Sequence, residues 1–191
     1  MPIGLLTSVL LIGATIGRSA VDHRAAAIID PLTGLLNRAA LDLRLPEIAD
    51  HAAARRTPVT VIVGDLDHFK QINDEHGHAV GDEVLIAAAE RIRDEVRIAD
   101  ALYRVGGEEF IVLLAATGLQ QGCEVAERIR NAIESEPVGG LPVTISLGVA
   151  TGVGIGFRYS EVFGRADTAL MSAKQAGRNQ VTAAPPAVVA A

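Results

Sequence analysis

Residues 101–115 constrain the fold of this chain more than any other segment. They contain two runs of apolar and β-forming residues, ALYRV and FIVLLA, which are separated by Gly106-Gly107 and Glu108-Glu109. Two consecutive glycines between such runs predict a β-hairpin, because both turn positions can adopt positive φ without a steric penalty. The two glutamates lie beside the turn, where charge can meet a cation. Taken alone, they are equally compatible with an ordinary solvated turn.

A second acidic segment favours a cation site over a solvated turn. The run VTVIV at 59–63 predicts a buried strand that ends at Gly64, Asp65 and Asp67. A carboxylate at a strand end and another at a hairpin can provide oxygen ligands to one hard divalent cation. Magnesium bound in this way keeps positions open for substrate phosphates. Asp65 and Glu108 are therefore predicted to meet.

These segments resemble the GGDEF-domain diguanylate cyclases. The family signature is present in its Gly-Gly-Glu-Glu-Phe form at 106–110. Further matching segments follow in the same order at 30–38 (DPLTGLLNR), 65–74 (DLDHFKQIND), 77–82 (GHAVGD), 146–149 (SLGV), 165–174 (RADTALMSAK) and 177–179 (GRN). The resemblance extends over residues 28 to 182, which is more than chance coincidence would produce.

The pattern of hairpins and amphipathic segments predicts an α+β fold, in which helices pack on a mostly antiparallel sheet. The resemblance implies the same architecture, with a five-stranded, palm-like sheet similar to those of nucleotide cyclases and polymerases. The first predicted helix carries Leu35 and Leu36 on its buried side, and Pro46 is expected to end it or to open a new turn. A short closing edge strand is predicted over residues 179–182.

Composition divides the 191-residue chain into three parts. Residues 1–24 are an apolar segment, residues 25–182 are the domain that resembles the cyclases, and residues 183–191 are an Ala/Pro/Val tail that we expect to be disordered. Residues 1–17 carry no charge but are short for a membrane span, which needs about 20 residues. They are interpreted as a short membrane anchor, an apolar helix for self-association, or a disordered start. The anchor is favoured, and the basic residues that follow it would then place the rest of the chain in the cytoplasm.

The balance of charge argues against one class of function. The formal net charge is −6, from 17 basic and 23 acidic residues, whereas a general nucleic-acid binder would normally show a basic surface. A nucleotide substrate is still compatible with this charge, because a few local cations and a metal ion suffice to bind it. The single Cys123 cannot form an internal disulfide and fits a reducing compartment.

The reaction implied by the resemblance is the condensation of two GTP molecules to cyclic di-GMP with release of two pyrophosphates. Each ribose 3′-hydroxyl attacks an α-phosphate in line, so catalysis depends mainly on positioning and on neutralising the developing charge. Because each domain would hold one GTP, a homodimer is expected to be the active form. The alternative is a catalytically silent module that senses GTP or cyclic di-GMP.

The resemblance also implies roles in metal binding and catalysis. Asp65 and Glu108 are expected to ligate Mg²⁺ or Mn²⁺, with the carbonyl of Leu66 as a third ligand. Glu109 is expected to bind a second metal or to orient the first set of ligands. Glu108 is also the candidate that takes the proton from the 3′-hydroxyl. Lys70 is expected to reach the phosphates, although an ordinary exposed helix lysine is the alternative.

Two further groups of residues are expected to bind the nucleotide. Asn73 and Asp82 suit guanine, because an amide and a carboxylate can together recognise its Watson–Crick edge and exclude adenine. His78 is expected to help place the nucleotide. Lys174 and Arg178 lie four residues apart around the end of the last predicted helix and can supply two cations to the β- and γ-phosphates. The ordinary alternative is that they complement the helix dipole.

The segment Arg97-Ile-Ala-Asp100 precedes the glycine pair by five intervening residues. In the family, Arg-x-x-Asp at this spacing marks an inhibitory site for the product. The resemblance implies that Arg97 would bind phosphate or guanine and that Asp100 would bind guanine.

Overall fold

A computed structural model of the protein describes residues 28–154 and 157–186. Within these ranges the helices are α1 (Arg38–Arg55), α2 (Phe69–His76), α3 (His78–Glu95), α4 (Leu119–Glu134) and α5 (Tyr159–Gln175). The strands in the same ranges are β1 (Leu36–Asn37), β2 (Pro58–Leu66), β3 (Ala101–Arg104), β4 (Glu109–Ala115), β5 (Ile145–Val153) and β6 (Val181–Ala183). The predicted α+β class is confirmed.

The six strands form one mixed sheet in the order β1-β3-β4-β2-β5-β6. The four central strands are antiparallel to one another, and the short edge strands β1 and β6 pair in parallel with β3 and β5. The sheet therefore has one strand more than the predicted five. The additional strand is β1, in which Leu36 pairs with Tyr103 and Asn37 with Arg104. Two residues are too few to show a strand periodicity, and the sequence pattern placed them in a helix.

Helix α1 begins and ends later than the sequence predicts. The side-chain oxygen of Asn37 accepts a hydrogen bond from the Ala40 N–H at 3.1 Å, so Asn37 caps the helix instead of belonging to it. Pro46 lies inside α1, and the predicted break at this residue is therefore wrong. Ile48 and Ala49 beyond it pack against the core, and this burial offsets the hydrogen bond that proline cannot donate.

The sheet is covered on both faces, so the domain has three layers and two hydrophobic cores. Helices α3 and α4 cover one face, and α1 and α5 cover the other. Strand β2 contributes to both cores by alternation. Ile62 lies in the first core with Ile92 and Ile129, whereas Val61 and Val63 lie in the second. Burial on both faces explains why this strand is a continuous apolar run in the sequence.

Helix α5 approaches the sheet closely at Gly148 of β5. A methyl group on Gly148 would overlap the carbonyl oxygen of Ala166 and the backbone nitrogen of Leu170. Glycine at this position therefore permits the observed distance between α5 and β5. It also determines where the C-terminal end of α5, which carries Lys174, lies relative to the sheet.

The ends of the described chain bear on two predictions. The closing edge strand is present as β6, and the Ala184 N–H donates to the Val149 carbonyl at 2.7 Å, so the chain still packs on the domain beyond residue 182. Residues 1–27 and 187–191 lie outside the described residues, and with them the predicted anchor and most of the expected tail. Within the described ranges, no helix combines the length and the apolar character that crossing a membrane requires.

Gly148→Ala is expected to lower the free energy of unfolding by about 2 kcal/mol, because the added methyl group meets backbone atoms that cannot move without displacing α5. Urea unfolding measures the change. The matched control is Gly164→Ala within α5, where no atom lies within 4 Å of the added methyl group. This control is expected to leave stability unchanged or to raise it by up to about 1 kcal/mol. Equal effects of the two substitutions would contradict the close approach at Gly148.

Candidate active site

The end of β2 and the glycine hairpin lie side by side at one end of the sheet. Asp65 in β2 is directly opposite Glu109 in β4. The N–H of Leu66 donates to the carbonyl oxygen of Glu108 at 3.3 Å. Burial, followed by repulsion from Asp65, raises the pKa of Glu108 above its ordinary value. Asp65 and Glu108, which are far apart in the sequence, are thus neighbours in space.

Two cations from the end of α5 and the loop after it face Asp65. The Nζ of Lys174 lies 2.8 Å from Oδ1 of Asp65. Burial raises the pKa of the Asp65 carboxyl, while Lys174 and Arg178 act in the opposite direction. The Asp65 side chain is 12 % exposed, so its charge depends on these partners more than on water. The cations that the sequence assigns to phosphates therefore lie beside the acids that it assigns to a metal.

The donor set at this position suits a hard divalent cation. Asp65 and Glu108 supply carboxylate oxygens, and the ammonium group of Lys174 already places a positive charge against Asp65. No group of three or more His, Cys, Asp or Glu side chains that could hold a metal ion occurs in residues 28–154 and 157–186. Two carboxylates and a backbone carbonyl, completed by phosphate oxygens and water, are a ligand set that magnesium uses with nucleotide substrates.

Glu109 differs from Glu108 in its surroundings. Its side chain is exposed, and its carboxylate lies so close to Gly106 that a Cβ at that position would overlap it. A larger residue at 106 would therefore displace the Glu109 carboxylate from this position. The metal-binding role of Glu109 stays a prediction.

The residues assigned to guanine and to the phosphates on this side lie around the junction of α2 and α3. Asn73 is in α2, and Asp82 is near the start of α3. The amide oxygen of Asn73 lies over Gly81, where any Cβ would overlap it, so the contact of the two helices brings Asn73 beside Asp82. His78 is the first residue of α3, and Lys70 is in the first turn of α2. Both side chains are exposed, which leaves them accessible to a ligand.

Arg97 and Asp100 form a turn between α3 and β3. The Arg97 N–H donates to the Asp100 carboxylate at 3.1 Å, and the Asp100 N–H donates to the Arg97 carbonyl at 3.0 Å. Together with Gly34 and Leu36, they border a cavity of about 340 Å³. The five residues between this turn and the glycine pair span about 17 Å of extended chain. The structure therefore separates this pair from the acids at the hairpin.

Sequence reasoning missed an ion pair that shapes the hairpin. Arg104 donates from Nη1 to Oδ1 of Asp30 at 2.9 Å, and from Nε and Nη2 to the carbonyl of Gly107 at 3.0 and 2.8 Å. Burial raises the pKa of Asp30, but hydrogen bonds from Thr33 and Arg104 outweigh this effect and hold the pKa below its ordinary value. A basic residue two positions before a glycine pair was the signal in the sequence, but it did not identify Asp30 as the partner.

Known proteins resemble this chain in sequence. Residues 27–180 match the family described as "Diguanylate cyclase, GGDEF domain". The diguanylate cyclase DgcP of Pseudomonas aeruginosa is 44% identical over 166 residues, which cover 85% of this chain and 25% of that protein. This chain spans about a quarter to two fifths of the length of the curated relatives it matches.

Solved structures share the fold. The coiled coil and GGDEF domain of DgcB from Caulobacter crescentus, in complex with c-di-GMP, gives a TM-score of 0.84 at 30% identity and covers 94% of this chain and 97% of that one. The structure described as the active GGEEF domain of a diguanylate cyclase from Vibrio cholerae gives a TM-score of 0.75 at 32% identity and covers 80% of this chain and 99% of that one.

An α+β domain with two acids at one end of its sheet, faced by two cations, has the charged groups that binding of nucleotide phosphates requires. The chain belongs to the diguanylate cyclase GGDEF-domain family.

The stability contributed by Asp30 is expected to depend on pH. Because its pKa is lower in the folded than in the unfolded chain, its contribution is present above about pH 4 and is lost as the pH falls through the folded-state value. Asp30→Asn is expected to lower the free energy of unfolding by about 1–2 kcal/mol at pH 7, since it weakens charge-assisted hydrogen bonds. Urea unfolding at pH 7 and pH 3 should show that the difference shrinks at the lower pH.

The control for this experiment is Asp94→Asn on an exposed position of α3. It is expected to change stability by less than about 0.5 kcal/mol at either pH. A difference between wild type and Asp30→Asn that is the same at both pH values would show that the Asp30 charge does not stabilise the hairpin.

Proposed function

We propose that the protein is a diguanylate cyclase that condenses two GTP molecules to cyclic di-GMP and releases two pyrophosphates. The observation that carries the proposal is the convergence of Asp65 and Glu108 with Lys174 and Arg178 at one end of the sheet. The relatives support it, because curated proteins that match most of this chain are named diguanylate cyclases. The Gly-Gly-Glu-Glu-Phe form also supports it, since the Vibrio cholerae GGEEF domain is described as active.

A divalent cation, which we propose to be Mg²⁺ or Mn²⁺, would be held by Asp65, Glu108 and the carbonyl of Leu66. When bound, it supplies positive charge that polarises the phosphate under attack. Glu109 is proposed to orient these ligands or to bind a second ion, because it lies next to Glu108 in the chain and directly opposite Asp65.

The triphosphate is proposed to bind to Lys70, Lys174 and Arg178. Lys174 contacts Asp65, so its ammonium group is already held at the acidic end of the sheet. A metal at Asp65 and a phosphate at Lys174 would replace this one ion pair with two attractive contacts. The order of charges along the site then becomes acid, metal, phosphate and cation, which neutralises each group by its neighbour.

The guanine base is proposed to lie at the junction of α2 and α3. Asn73 and Asp82 would bind its Watson–Crick edge, and His78 would help to place the nucleotide. The contact between Asn73 and Gly81 supports this assignment, because it holds the Asn73 amide against the residue that directly precedes Asp82. A carboxylate that accepts from N1 and N2 of guanine would face the wrong groups in adenine.

Glu108 is proposed to act also as the base that takes the proton from the 3′-hydroxyl. Its position beside Asp65, at the end of the sheet where the phosphates are proposed to bind, supports this role. The acids and the cations of one chain can bind one nucleotide. We therefore propose a homodimer in which two such sites face each other, since the product joins two GTP molecules.

The turn of Arg97 and Asp100 is proposed to be an inhibitory site for cyclic di-GMP. Support comes from the cavity that the turn borders and from its separation from the acids at the hairpin. A cavity outside the catalytic site can be occupied while GTP is bound, which is what feedback by product requires.

A silent module that senses GTP or cyclic di-GMP is the competing function. We also keep as proposals a domain over residues 25–182, a cytoplasmic location and membrane contact through residues 1–17.

Glu108→Gln is expected to lower the rate of cyclic di-GMP formation at least about a hundredfold, because it removes a metal ligand and the base together. The measurement is incubation with GTP and Mg²⁺ followed by chromatography of the products. Mn²⁺ binding followed by electron paramagnetic resonance should fall in the same variant. Glu90→Gln, at an exposed position of α3, is the control and should retain both properties. A wild-type protein that binds GTP without forming product would refute the cyclase and favour the sensor.

Gly81→Ala is expected to raise the KM for GTP by about tenfold, because the added methyl group displaces the amide of Asn73. Stability should change by less than about 1 kcal/mol, since the group displaced is the end of a flexible side chain and alanine favours a helix. Asn73→Ala should reproduce the effect on KM. Steady-state kinetics with GTP and thermal unfolding measure the two properties. An unchanged KM in Gly81→Ala would remove Asn73 from the guanine site.

A further inference from the structure

Asp67, which directly follows β2, is buried and hydrogen-bonded within the protein. It is 5 % exposed, and its carboxylate accepts three hydrogen bonds. Ser146 Oγ donates to Oδ1 at 2.7 Å, and Thr144 Oγ1 donates to Oδ2 at 2.7 Å. The backbone N–H of Asn179 donates to Oδ2 at 3.0 Å. One buried carboxylate therefore joins the end of β2, the start of β5 and the loop that follows α5.

The loop after α5 has an unusual backbone that needs support. Gly177, Arg178 and Asn179 have φ values of 119°, 65° and 46°. Positive φ is ordinary for glycine and tolerated by asparagine, but it is unfavourable for arginine because of its Cβ. Residues in such conformations persist where surrounding contacts hold them, and they occur often at functional sites.

The side chain of Asn179 supplies a second set of contacts. Its Oδ1 accepts from Nη1 of Arg130 at 3.0 Å, and its Nδ2 donates to Oε1 of Glu134 at 2.8 Å. Arg130 and Glu134 also form an ion pair with each other at 2.6 Å. Asn179 is thus held from one side by the sheet through Asp67 and from the other by α4.

Of the two cations of the site, Arg178 lies in this loop and Lys174 lies at the end of α5, just before it. Arg178 directly precedes the anchored Asn179, and its N–H donates to the carbonyl of Ala173, one residue before Lys174. Lys174 contacts Asp65, and the positive charge of Arg178 also lowers the pKa of the Asp65 carboxyl, so both charges lie near the acids. A shift of the loop backbone would move Arg178 directly and would change the end of α5 at Lys174.

We propose that Asp67 and Asn179 are positioning residues, which hold residues 177–179 so that Arg178 and Lys174 face the β- and γ-phosphates of the nucleotide. This inference rests on the proposed function. It assigns Asp67 a role different from that of Asp65, although the two acids share one motif. Asp67 acts as a hydrogen-bond acceptor, and its negative charge is not required for that role.

The test compares a nucleotide that has β- and γ-phosphates with one that lacks them. The first is 3′-deoxy-GTP, which cannot react because it has no attacking hydroxyl, and the second is GMP. Titration calorimetry, with GMP also measured by competition, gives both affinities. Asn179→Gly keeps the backbone conformation accessible and removes the contacts to α4. This variant is expected to bind 3′-deoxy-GTP about tenfold more weakly than wild type and GMP less than about twofold more weakly.

Substitutions at Asp67 and at Asp65 distinguish the role of Asp67 from metal binding. Asp67→Ala is expected to lower the affinity for 3′-deoxy-GTP at least as much as Asn179→Gly does. Asp67→Asn should restore the affinity to within about threefold, because its amide oxygen can accept from Asn179 while its NH₂ donates to Ser146. Asp65→Asn should not retain affinity in this way, since a metal ligand needs its charge. If Asp67→Ala does not fold, Asn179→Gly and Asp67→Asn still decide the question.

A background substitution tests whether Asn179 acts through Arg178. In Arg178→Ala, the further change Asn179→Gly is expected to have less than half of its effect on 3′-deoxy-GTP, on a logarithmic scale. Equal losses for both nucleotides, a loss in Asp67→Asn as large as in Asp67→Ala, or an undiminished effect in Arg178→Ala would each overturn the inference. A wild-type chain that binds 3′-deoxy-GTP but makes no cyclic di-GMP from GTP would refute the proposed function, while these affinities would still test the positioning.

Discussion

The candidate site is built on two carboxylates that are held close together at the end of one sheet. Burial raises the pKa of Glu108, and repulsion from Asp65 raises it further. Such a pair is unfavourable unless positive charge compensates it. Lys174 and Arg178 provide that compensation within the protein, and a metal ion with a triphosphate could provide it in their place. The need for positive charge is therefore a property of the fold itself.

The positions of these groups follow from rigid elements. Asp65 lies in the central strand β2, where it is opposite Glu109 on one side and Ser146 on the other. Helix α5 brings Lys174 to the same end of the sheet, and Gly148 allows the helix to pack closely enough. Asp65 comes from a strand and Glu108 from the adjoining hairpin, and the cations come from the end of α5 and the loop after it. Their relative position is thus determined by the packing of α5 on the sheet.

Much of this site could be predicted from short-range patterns, and the rest could not. The glycine hairpin, the strand before Asp65 and the edge strand near the C-terminus each leave a signal within a few residues. The hydrogen bond between Asp67 and Asn179 joins residues 112 positions apart, and the ion pair of Arg104 with Asp30 joins residues 74 positions apart. Such contacts depend on how the elements pack. The course of α1 through Pro46 depends on packing in the same way, and β1 is too short to show a strand periodicity.

The central claim is that Asp65 and Glu108 hold a divalent cation against a guanine triphosphate. A crystal structure of the protein with Mn²⁺ and 3′-deoxy-GTP, with anomalous scattering used to locate the manganese, tests it most directly. We expect a manganese peak about 2.1–2.2 Å from carboxylate oxygens of both residues, with Lys174 moved from Asp65 to a phosphate oxygen. A nucleotide bound elsewhere, or a manganese ion that touches neither acid while Lys174 stays on Asp65, would contradict it.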